Sequence, residues 1–266
     1  MDRVVNRRLL IALIVFSSAV SASGGSPKNL ELIVDGTRRE ATIYLPEDIV
    51  PGITPVVFAF HGHGGSMENA ASKFRCEVYW PEAIVVYPQG LNTPVRLTDP
   101  QGDHSGWQSN IGDCGDRDLH FFDLLIEYLS QNYSIGTRIY LLGHSNGGIF
   151  VYELWAARPE KIAAIASISA ILPANIDYSL LRPKPIFHVA GKKDPLVRYE
   201  WQLKTFGEIM KINQCKSDGE QRITKNMVKY QSAIDVPFVT YIHDGGHEVP
   251  EGIMPLIIEF YKAISN

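Results

Sequence analysis

The stretch that decides the fold is Ile139-Tyr140-Leu141-Leu142-Gly143-His144-Ser145-Asn146-Gly147-Gly148. Its first four residues form an apolar run typical of a strand, and residues 146–158 follow the pattern of a helix that Pro159 ends. Two glycines bracket the serine as Gly-x-Ser-x-Gly, which between a strand and a helix is typical of a nucleophile elbow. The pattern therefore predicts a sharp turn that lifts the Ser145 hydroxyl clear of a sheet.

The residue types around Ser145 have a physical reason. Side chains at positions 143 and 147 would collide with the neighbouring strand and helix, so both positions require glycine or a similarly small residue. The turn also places Ser145 at a helix N-terminus, where free backbone N–H groups and the helix dipole favour developing negative charge. A glycine- and serine-rich turn without chemistry is the alternative, and the flanking strand and helix favour the nucleophile.

A second glycine-rich motif, His61-Gly62-His63-Gly64-Gly65, follows the apolar run 56–60. A loop of this kind after a strand resembles the His-Gly-Gly-Gly type that completes an oxyanion hole. We expect the backbone N–H of Asn146 to supply one oxyanion donor. Gly62, His63 or Gly64 supplies the other, and we favour His63. A turn that merely holds hydrogen-bonded histidines is the alternative reading of this motif alone.

A serine nucleophile needs a base, and the chain has eight histidines. We favour His247, which lies in a loop between the last predicted strand and the last predicted helix, because a hydrolase elbow is followed along the chain by the acid and then the histidine. His243, at the end of that strand, is the rival. Packed or hydrogen-bonded structural roles are the simpler interpretation of His144 and His188.

The acid that orients the histidine should follow the predicted strand 185–190. Asp194 lies in the loop directly after this strand, within Gly191-Lys192-Lys193-Asp194-Pro195. Asp177 is the alternative, but it precedes the strand. The sequence therefore predicts that the Asp194 carboxylate holds the His247 tautomer and stabilises its imidazolium form.

Strands alternate with helices along the rest of the chain, which predicts a mostly parallel central sheet covered by helices on both faces, an α/β fold. The predicted strands are 30–34, 39–45, 56–60, 84–87, 138–142, 163–169, 185–190 and 236–242, and the predicted helices are 118–132, 146–158 and 251–264. Residues 89–115 are too long and too rich in Pro, Gly, Asp and Asn for a plain connection, so we expect a functional flap or pocket wall there.

Composition excludes several classes of protein. The 266 residues are 45% hydrophobic and 20% charged, which is ordinary for a globular protein and excludes a disordered chain, a collagen-like repeat and a multispan membrane protein. The formal net charge is −4, so no basic excess draws the chain to nucleic acid. After the N-terminal segment, no stretch is apolar and long enough to span a membrane.

The N-terminal segment reads as a secretory signal. Positive charge precedes a short apolar run and a stretch of small residues, so we expect residues 1–22 to be removed after Ala22 and the protein to be secreted or periplasmic. An uncleaved single-span anchor is the alternative. Residues 27–266 then form a single catalytic domain. Three cysteines, Cys76, Cys114 and Cys215, predict one disulfide and one free thiol, or an intermolecular bridge, without indicating the pair.

These motifs together resemble the α/β-hydrolase group of extracellular polyhydroxybutyrate depolymerase-like and feruloyl or acetylxylan esterases. The matching pieces are His61-Gly62-His63-Gly64-Gly65, Tyr87-Pro88-Gln89-Gly90, Gly106-Trp107, Asp116 to Phe122, His144-Ser145-Asn146-Gly147-Gly148, Gly191 to Tyr199 and Gly246-His247-Glu248-Val249-Pro250. The resemblance implies the α/β-hydrolase fold, a Ser145–Asp194–His247 triad and hydrolysis of carboxylic esters.

The sequence thus predicts a secreted serine carboxylesterase that works through an acyl-enzyme on Ser145, on a feruloyl- or acetyl-polysaccharide or a hydroxyalkanoate-type ester. We expect no metal and no organic cofactor. Trp107 and His144 are the candidate substrate contacts, and Trp107, Trp201 and the loop 89–115 could form an aromatic platform; plain core packing is the alternative for the tryptophans. The same scaffold also suits a peptidase, a thioesterase or a lactonase, or an inactive binding protein.

Overall fold

The computed structural model describes residues 26–96, 98–173 and 175–265, so the predicted signal at residues 1–22 lies outside the described part of the chain. Twelve strands are present in these residues: β1 (Lys28–Val34), β2 (Thr37–Tyr44), β3 (Val56–Phe60), β4 (Ile84–Pro88), β5 (Leu91–Asn92), β6 (Ser105–Gly106), β7 (Ile139–His144), β8 (Ala164–Ile168), β9 (Ile186–Gly191), β10 (Cys215–Arg222), β11 (Met227–Ser232) and β12 (Phe238–His243). The α-helices are α1 (Met67–Phe74), α2 (Cys76–Tyr79), α3 (Arg117–Tyr133), α4 (Asn146–Ala157), α5 (Tyr199–Ile212) and α6 (Ile253–Ser265).

Ten of the strands form one sheet in the order β1-β2-β4-β3-β7-β8-β9-β12-β11-β10. The six central strands, from β4 to β12, run parallel, while β1 and β2 on one side and β11 and β10 on the other add antiparallel pairs. Every residue of β3, β4 and β8 is buried, which explains why these strands read as continuous apolar runs. The predicted mostly parallel sheet is confirmed.

The sheet separates two apolar layers. Along β3, Phe58 belongs to one buried cluster, whereas Val57 and Ala59 belong to the other, because successive strand side chains point to opposite faces. The first layer contains the buried faces of α3, α4 and α5, and the second contains those of α1 and α6. The predicted cover of helices on both faces is therefore confirmed.

Seven of these elements lie where the sequence pattern predicted none: α1, α2, α5, β5, β6, β10 and β11. Helices α1 and α2 have only eight and four residues, too few for a helical period to stand out. In α5, two of the four buried positions are polar, Gln202 and Thr205, which masks its apolar face. Strand β10 is a polar edge strand, and its pairing with β11 rather than its composition defines it.

A buried ion pair fixes the first turn of α3. Arg39 Nη2 lies 2.8 Å from Asp118 Oδ1, and both side chains are almost entirely buried. The guanidinium also lies over the Phe121 ring, 4.1 Å from its centroid. Asp118 in turn accepts a hydrogen bond from the backbone N–H of Gln108 at 2.9 Å. These contacts hold the end of the long loop against the sheet.

The expected intramolecular disulfide is wrong. Cys76 is buried on α2, Cys114 is exposed before α3, and Cys215 is half-buried at the start of β10; none of the three is paired. The three thiols belong to separate elements, a placement that an odd cysteine count could not reveal. Among the described residues, no helix combines the length and the apolar character needed to cross a bilayer.

Candidate active site

Ser145 occupies the turn between β7 and α4 with φ 56° and ψ −123°, a left-handed conformation that is strained for any residue with a side chain. Its neighbours show why glycine is needed. A Cβ at Gly143 would run into the Gly147 carbonyl, and one at Gly147 would lie 2.5 Å from the carbonyl oxygens of Phe60 and His61. The predicted sharp elbow is therefore present, with Ser145 between a buried strand and a helix N-terminus.

Three side chains meet at this turn. The Ser145 hydroxyl donates a hydrogen bond to His247 Nε2, with the two atoms 2.7 Å apart. On the other side of the imidazole, Nδ1–H donates to Asp194 Oδ2 at 2.8 Å. The chain thus places hydroxyl, imidazole and carboxylate in one line, the arrangement in which a histidine can take the serine proton.

Asp194 is held rigidly. Its side chain has no exposed surface, and its second oxygen, Oδ1, accepts hydrogen bonds from the backbone N–H groups of Leu196 at 2.9 Å and Val197 at 2.8 Å. These amides leave Oδ2 to face His247. A carboxylate fixed in this way keeps the histidine proton on Nδ1 and leaves Nε2 free to accept.

The sheet topology brings the His247 loop to Asp194. Strands β9 and β12 are parallel neighbours, so the loops that follow them leave the same edge of the sheet. Backbone hydrogen bonds join these loops, from Lys192 to the His243 carbonyl and from Lys193 to the Gly245 carbonyl. Glycine is required at position 191, where a Cβ would strike the Gly246 carbonyl.

The rival residues have other partners. His243 is buried at the end of β12, where its Nδ1 accepts from the Gly245 N–H at 3.2 Å. His188 lies in the core between Tyr152 and Gln202. Asp177 caps a short 3-10 turn by accepting from the Ser179 N–H. None of these side chains hydrogen-bonds to Ser145 or His247 in the described structure.

Hydrogen bonding narrows the choice of oxyanion donor in the glycine-rich loop. The Gly64 amide donates to the Ser105 carbonyl at 2.7 Å, and the Gly65 amide donates to the Gly62 carbonyl at 3.0 Å. Among the described backbone hydrogen bonds, none uses the amides of Gly62, His63 or Asn146. Gly64 is therefore excluded, while Gly62, His63 and Asn146 retain free N–H groups, as an oxyanion donor requires.

The His63 side chain anchors the flap, which we define as residues 93–104. Its Nε2–H donates to Asp99 Oδ2 at 2.9 Å. The same carboxylate accepts from the backbone amides of Gly102, Asp103 and His104. Burial raises the pKa of Asp99, but hydrogen bonds from the amides of Asp103 and His104 and from the imidazoles of His63 and His104 outweigh it and hold the pKa well below its usual range.

A metal could in principle use the same cluster. Ligand-type atoms of His63, Asp99 and His104 lie within 4.8 Å of one another, and this is the one such group in the part of the chain that the structure describes. The hydrogen bonds just described already occupy the Asp99 oxygens. We therefore interpret the cluster as the attachment of the flap to the loop that bears His63.

Sequence reasoning missed the role of the Asn146 side chain. Its Oδ1 accepts from the Trp107 backbone N–H at 2.7 Å, and its Nδ2 donates to the Trp107 carbonyl at 2.9 Å. The residue that begins α4 therefore also fixes the strand at the end of the flap. The only sequence signal was the presence of an amide side chain directly after the nucleophile.

Trp107 is not a substrate contact. The residue has no exposed surface, its Nε1–H donates to the His61 carbonyl at 2.9 Å, and its ring stacks on Phe150 with centroids 5.3 Å apart. Core packing, the alternative interpretation, is therefore correct for this side chain. Trp201, in contrast, lies on the first turn of α5 and lines the cavity described below.

His144 lies beside the base. Its ring centroid is 5.0 Å from that of His247, and its Nε2 is buried without a hydrogen-bond partner. Burial, followed by the positive charges of His247 and Lys73, lowers the pKa of His144 to about 3. The His144 imidazole is therefore neutral at neutral pH and adds no competing charge next to His247.

Ser145 opens into a cavity of about 1090 Å³. The glycine-rich loop and the elbow form its floor, and its walls come from α1, the flap and the start of α5. His63, His144 and Trp201 are among the residues that line it. The space suits a substrate considerably larger than an acetyl group, with its reacting carbonyl above Ser145.

Several known proteins that are similar to this chain are described as esterases. The sequence profile of the phospholipase/carboxylesterase family matches residues 50–230, more than half of the chain. The bifunctional acetylxylan esterase/xylanase XynS20E of Neocallimastix patriciarum is 29% identical over 174 residues, which are 62% of this chain and 23% of that protein. The chain spans less than half of the length of the curated relatives it matches.

Solved structures agree on the fold. An acetyl xylan esterase from Aspergillus awamori aligns with a TM-score of 0.64 at 12% identity, over 88% of this chain and 99% of that chain. A ferulic acid esterase aligns with a TM-score of 0.59 at 15% identity, over 90% of this chain and 96% of that chain. Together with the family match, these likenesses confirm the predicted α/β-hydrolase fold.

Proposed function

The chain belongs to the phospholipase/carboxylesterase family of α/β-hydrolases, and from this premise we propose that it is a serine hydrolase of carboxylic esters. The observation that carries the proposal is the line of hydrogen bonds from Ser145 through His247 to Asp194. A cavity large enough for an ester substrate opens directly above the serine hydroxyl. Serine, base and acid follow one another along the chain in the order of this fold's hydrolases.

In the proposed reaction, Ser145 Oγ attacks the ester carbonyl carbon while its proton moves to His247 Nε2. The amides of Asn146 and His63 donate hydrogen bonds to the oxyanion that forms, and each such donor typically lowers the barrier by about 3 kcal/mol. The ester C–O bond then breaks. His247 returns the proton to the leaving alcohol, and the acyl group remains on Ser145 as an ester.

Water completes the cycle. His247 takes a proton from a water molecule while the water oxygen attacks the acyl carbon. The bond from the acyl carbon to Ser145 Oγ then breaks. The proton returns to Ser145, and the carboxylic acid leaves. The Asp194 carboxylate accepts from His247 Nδ1–H and stabilises the imidazolium form of His247 in both halves of the reaction. The proposed reaction requires no metal and no organic cofactor.

For the substrate, we propose esters of plant-type polysaccharides, with acetylated xylan as the first candidate, because the relative from Neocallimastix patriciarum is described as an acetylxylan esterase/xylanase. Methyl ferulate and short hydroxybutyrate oligomers are the other esters in the test. The purified protein should release acid from at least one of the three. Hydrolysis by Ser145→Ala should fall by roughly a thousandfold or more, because the nucleophile is gone.

A matched serine variant controls this test. Ser179 is exposed in a 3-10 turn outside the cavity, so Ser179→Ala should retain the activity of the unchanged protein. Activity of Ser145→Ala equal to that of Ser179→Ala would overturn the proposal. We also propose that residues 1–22 direct export and are removed; a mature N-terminus other than Ser23 would contradict this cleavage site.

A further inference from the structure

The cavity above Ser145 carries the opposite charge to the protein as a whole. Over the whole sequence, acidic residues outnumber basic ones, 29 to 25. The described residues that line the cavity include three cations, Lys73 on α1, Arg96 in the flap and Arg198 directly before α5, and no Asp or Glu. Asp194 lies beneath the site with no exposed side-chain surface, and it faces His247.

The three cations are free to bind a ligand. All three side chains are exposed, and none forms an ion pair with a carboxylate among the described residues. Elsewhere on the surface the chain does pair such groups; for example, Lys192 lies 2.8 Å from Asp244. The cations come from three separate segments of the chain, and all three line the same cavity.

The remaining walls are largely apolar. Phe74, Ile149 and Leu196 line the cavity together with Trp201. The Arg198 guanidinium lies over the Trp201 ring, 5.4 Å from its centroid, which holds this cation at the cavity wall. Exposed positive groups next to apolar lining residues fit an ionised group attached to an apolar or aromatic carbon skeleton.

The positive charge extends to the catalytic end of the cavity. Lys73 is close enough to His144, the neighbour of the nucleophile, to help lower its pKa after the larger effects of burial and of His247. Ser145 stands at the N-terminus of α4, which contributes further positive potential. A negatively charged substrate would therefore be attracted along the whole path to Ser145.

We propose that the protein prefers substrates that carry an ionised carboxylate in addition to the ester group that is cleaved. Lys73, Arg96 and Arg198 bind this carboxylate. This inference rests on the proposed ester hydrolysis and names the class of ester. The carboxylate could belong to the acid half or to the alcohol half of the substrate. All three cations line the one cavity that must hold both halves of the ester, so the test includes one pair of substrates for each half.

The experiment compares kcat/KM for matched esters at low ionic strength. For the acid half, the para-nitrophenyl monoester of adipic acid is compared with the same ester of adipamic acid, in which a carboxamide replaces the free carboxylate. For the alcohol half, para-acetoxybenzoate is compared with para-acetoxybenzamide. In at least one pair, the anionic ester should be preferred about tenfold, and the preference should fall strongly at high salt.

Variants assign the preference to the three side chains. Each of Lys73→Gln, Arg96→Gln and Arg198→Gln should lower the ratio of anionic to neutral kcat/KM by about two- to fivefold, the range for an exposed charge pair. The combined variant should abolish the preference. Both esters of a pair are compared on the same variant, so a general loss of activity does not change this ratio, and circular dichroism shows whether the combined variant folds. Lys204→Gln, on α5 outside the cavity, is the matched control.

The outcomes separate the two proposals. If the ratio of anionic to neutral kcat/KM is the same in the unchanged protein and in the combined variant, the charge preference is overturned. Ser145-dependent hydrolysis of the neutral esters would still support the proposed function. Should the combined variant fold poorly, unchanged ratios in the three single variants would overturn the preference equally. If none of the four esters is hydrolysed and Ser145 does not react with a fluorophosphonate, both proposals fail.

Discussion

The Asn146 side chain holds the Trp107 backbone at both ends, accepting from its N–H at 2.7 Å and donating to its carbonyl at 2.9 Å. Asn146 directly follows the proposed nucleophile, and Trp107 directly follows β6, the short strand that comes immediately after the flap. One buried amide therefore joins the elbow to the wall of the cavity. The position of the flap over Ser145 depends on this pair of hydrogen bonds.

Replacing Asn146 with Ala should destabilise the protein. The change leaves two buried backbone groups of Trp107 without partners, and each such group costs about 1–3 kcal/mol. We expect the free energy of unfolding in urea to fall by about 2–4 kcal/mol. The control is Asn92→Ala, because the exposed Asn92 side chain donates only to the Asp103 carbonyl. Equal, small losses in both variants would show that the Asn146 contacts are unimportant.

Gly147 should not tolerate a methyl group. A Cβ there would lie 2.5 Å from the carbonyl oxygens of Phe60 and His61, both backbone atoms that cannot swing away. Gly147→Ala should therefore unfold the protein or lower its free energy of unfolding by about 3 kcal/mol or more, the large effect typical of overpacking. Thermal unfolding followed by circular dichroism measures this.

Gly207→Ala is the matched control for Gly147→Ala. Gly207 lies inside α5, and a Cβ there meets no atom within 4 Å. Gly207→Ala should raise the free energy of unfolding by about 0.5–1 kcal/mol, because alanine favours the helix over glycine. A Gly147→Ala variant that melts at the same temperature as Gly207→Ala would contradict the crowding at the elbow.

The sequence predicted the elements that carry strong local signals. Strand β3 and the start of α4 lie where their apolar runs and the glycine bracket placed them. Strand β10, at the edge of the sheet, and its neighbour β11 escaped prediction, because their residues are mostly polar or half-exposed and only pairing makes them strands. Hydrophobic periodicity shows which residues of an element are buried, and an edge strand has few buried residues.

The candidate site also has features that the sequence predicted and features that it did not. The meeting of Ser145, Asp194 and His247 could be predicted, because the loops after parallel strands lie at one edge of a sheet. Chain order could not indicate that Trp107 is buried or that Asn146 holds it, since both depend on how the flap folds back. The charge of the cavity likewise arises from residues that are far apart in sequence.

Glu153 should make stability depend on pH. Burial, with the negative charges of Asp113 and Asp116 adding to it, raises the pKa of this α4 carboxyl from 4.5 to about 8. Between these two pKa values the folded protein retains a proton that the unfolded chain releases. Stability is therefore fully present below about pH 4.5 and is lost as the pH rises toward 8, by at most about 1.4 kcal/mol per pH unit.

The variant Glu153→Gln isolates this effect, because its side chain stays neutral in both states. The free energy of unfolding of Glu153→Gln, minus that of the unchanged protein, should increase steadily between about pH 5 and pH 8. Urea unfolding at several pH values in this range measures the difference. A difference that does not vary with pH would mean that the Glu153 carboxyl titrates normally.

The three thiols should react in the order of their exposure. Cys114 is exposed and should react with a disulfide reagent in the folded protein, whereas Cys76 is buried, and burial raises its pKa. Cys215, which is half-buried, should be intermediate. We expect a fast phase that disappears in Cys114→Ser, and three reactive thiols after unfolding without reductant. One reactive thiol after unfolding would instead demonstrate a disulfide.

The most direct test of the proposed function is covalent labelling of the folded protein with a fluorophosphonate, followed by peptide mass spectrometry. An activated serine reacts with this probe, whereas an ordinary serine does not. We predict a single adduct on Ser145, no adduct in Ser145→Ala, and much slower labelling in His247→Asn, which lacks the base. Labelling at a serine other than Ser145, or none at all, would contradict the assignment of Ser145 as the nucleophile.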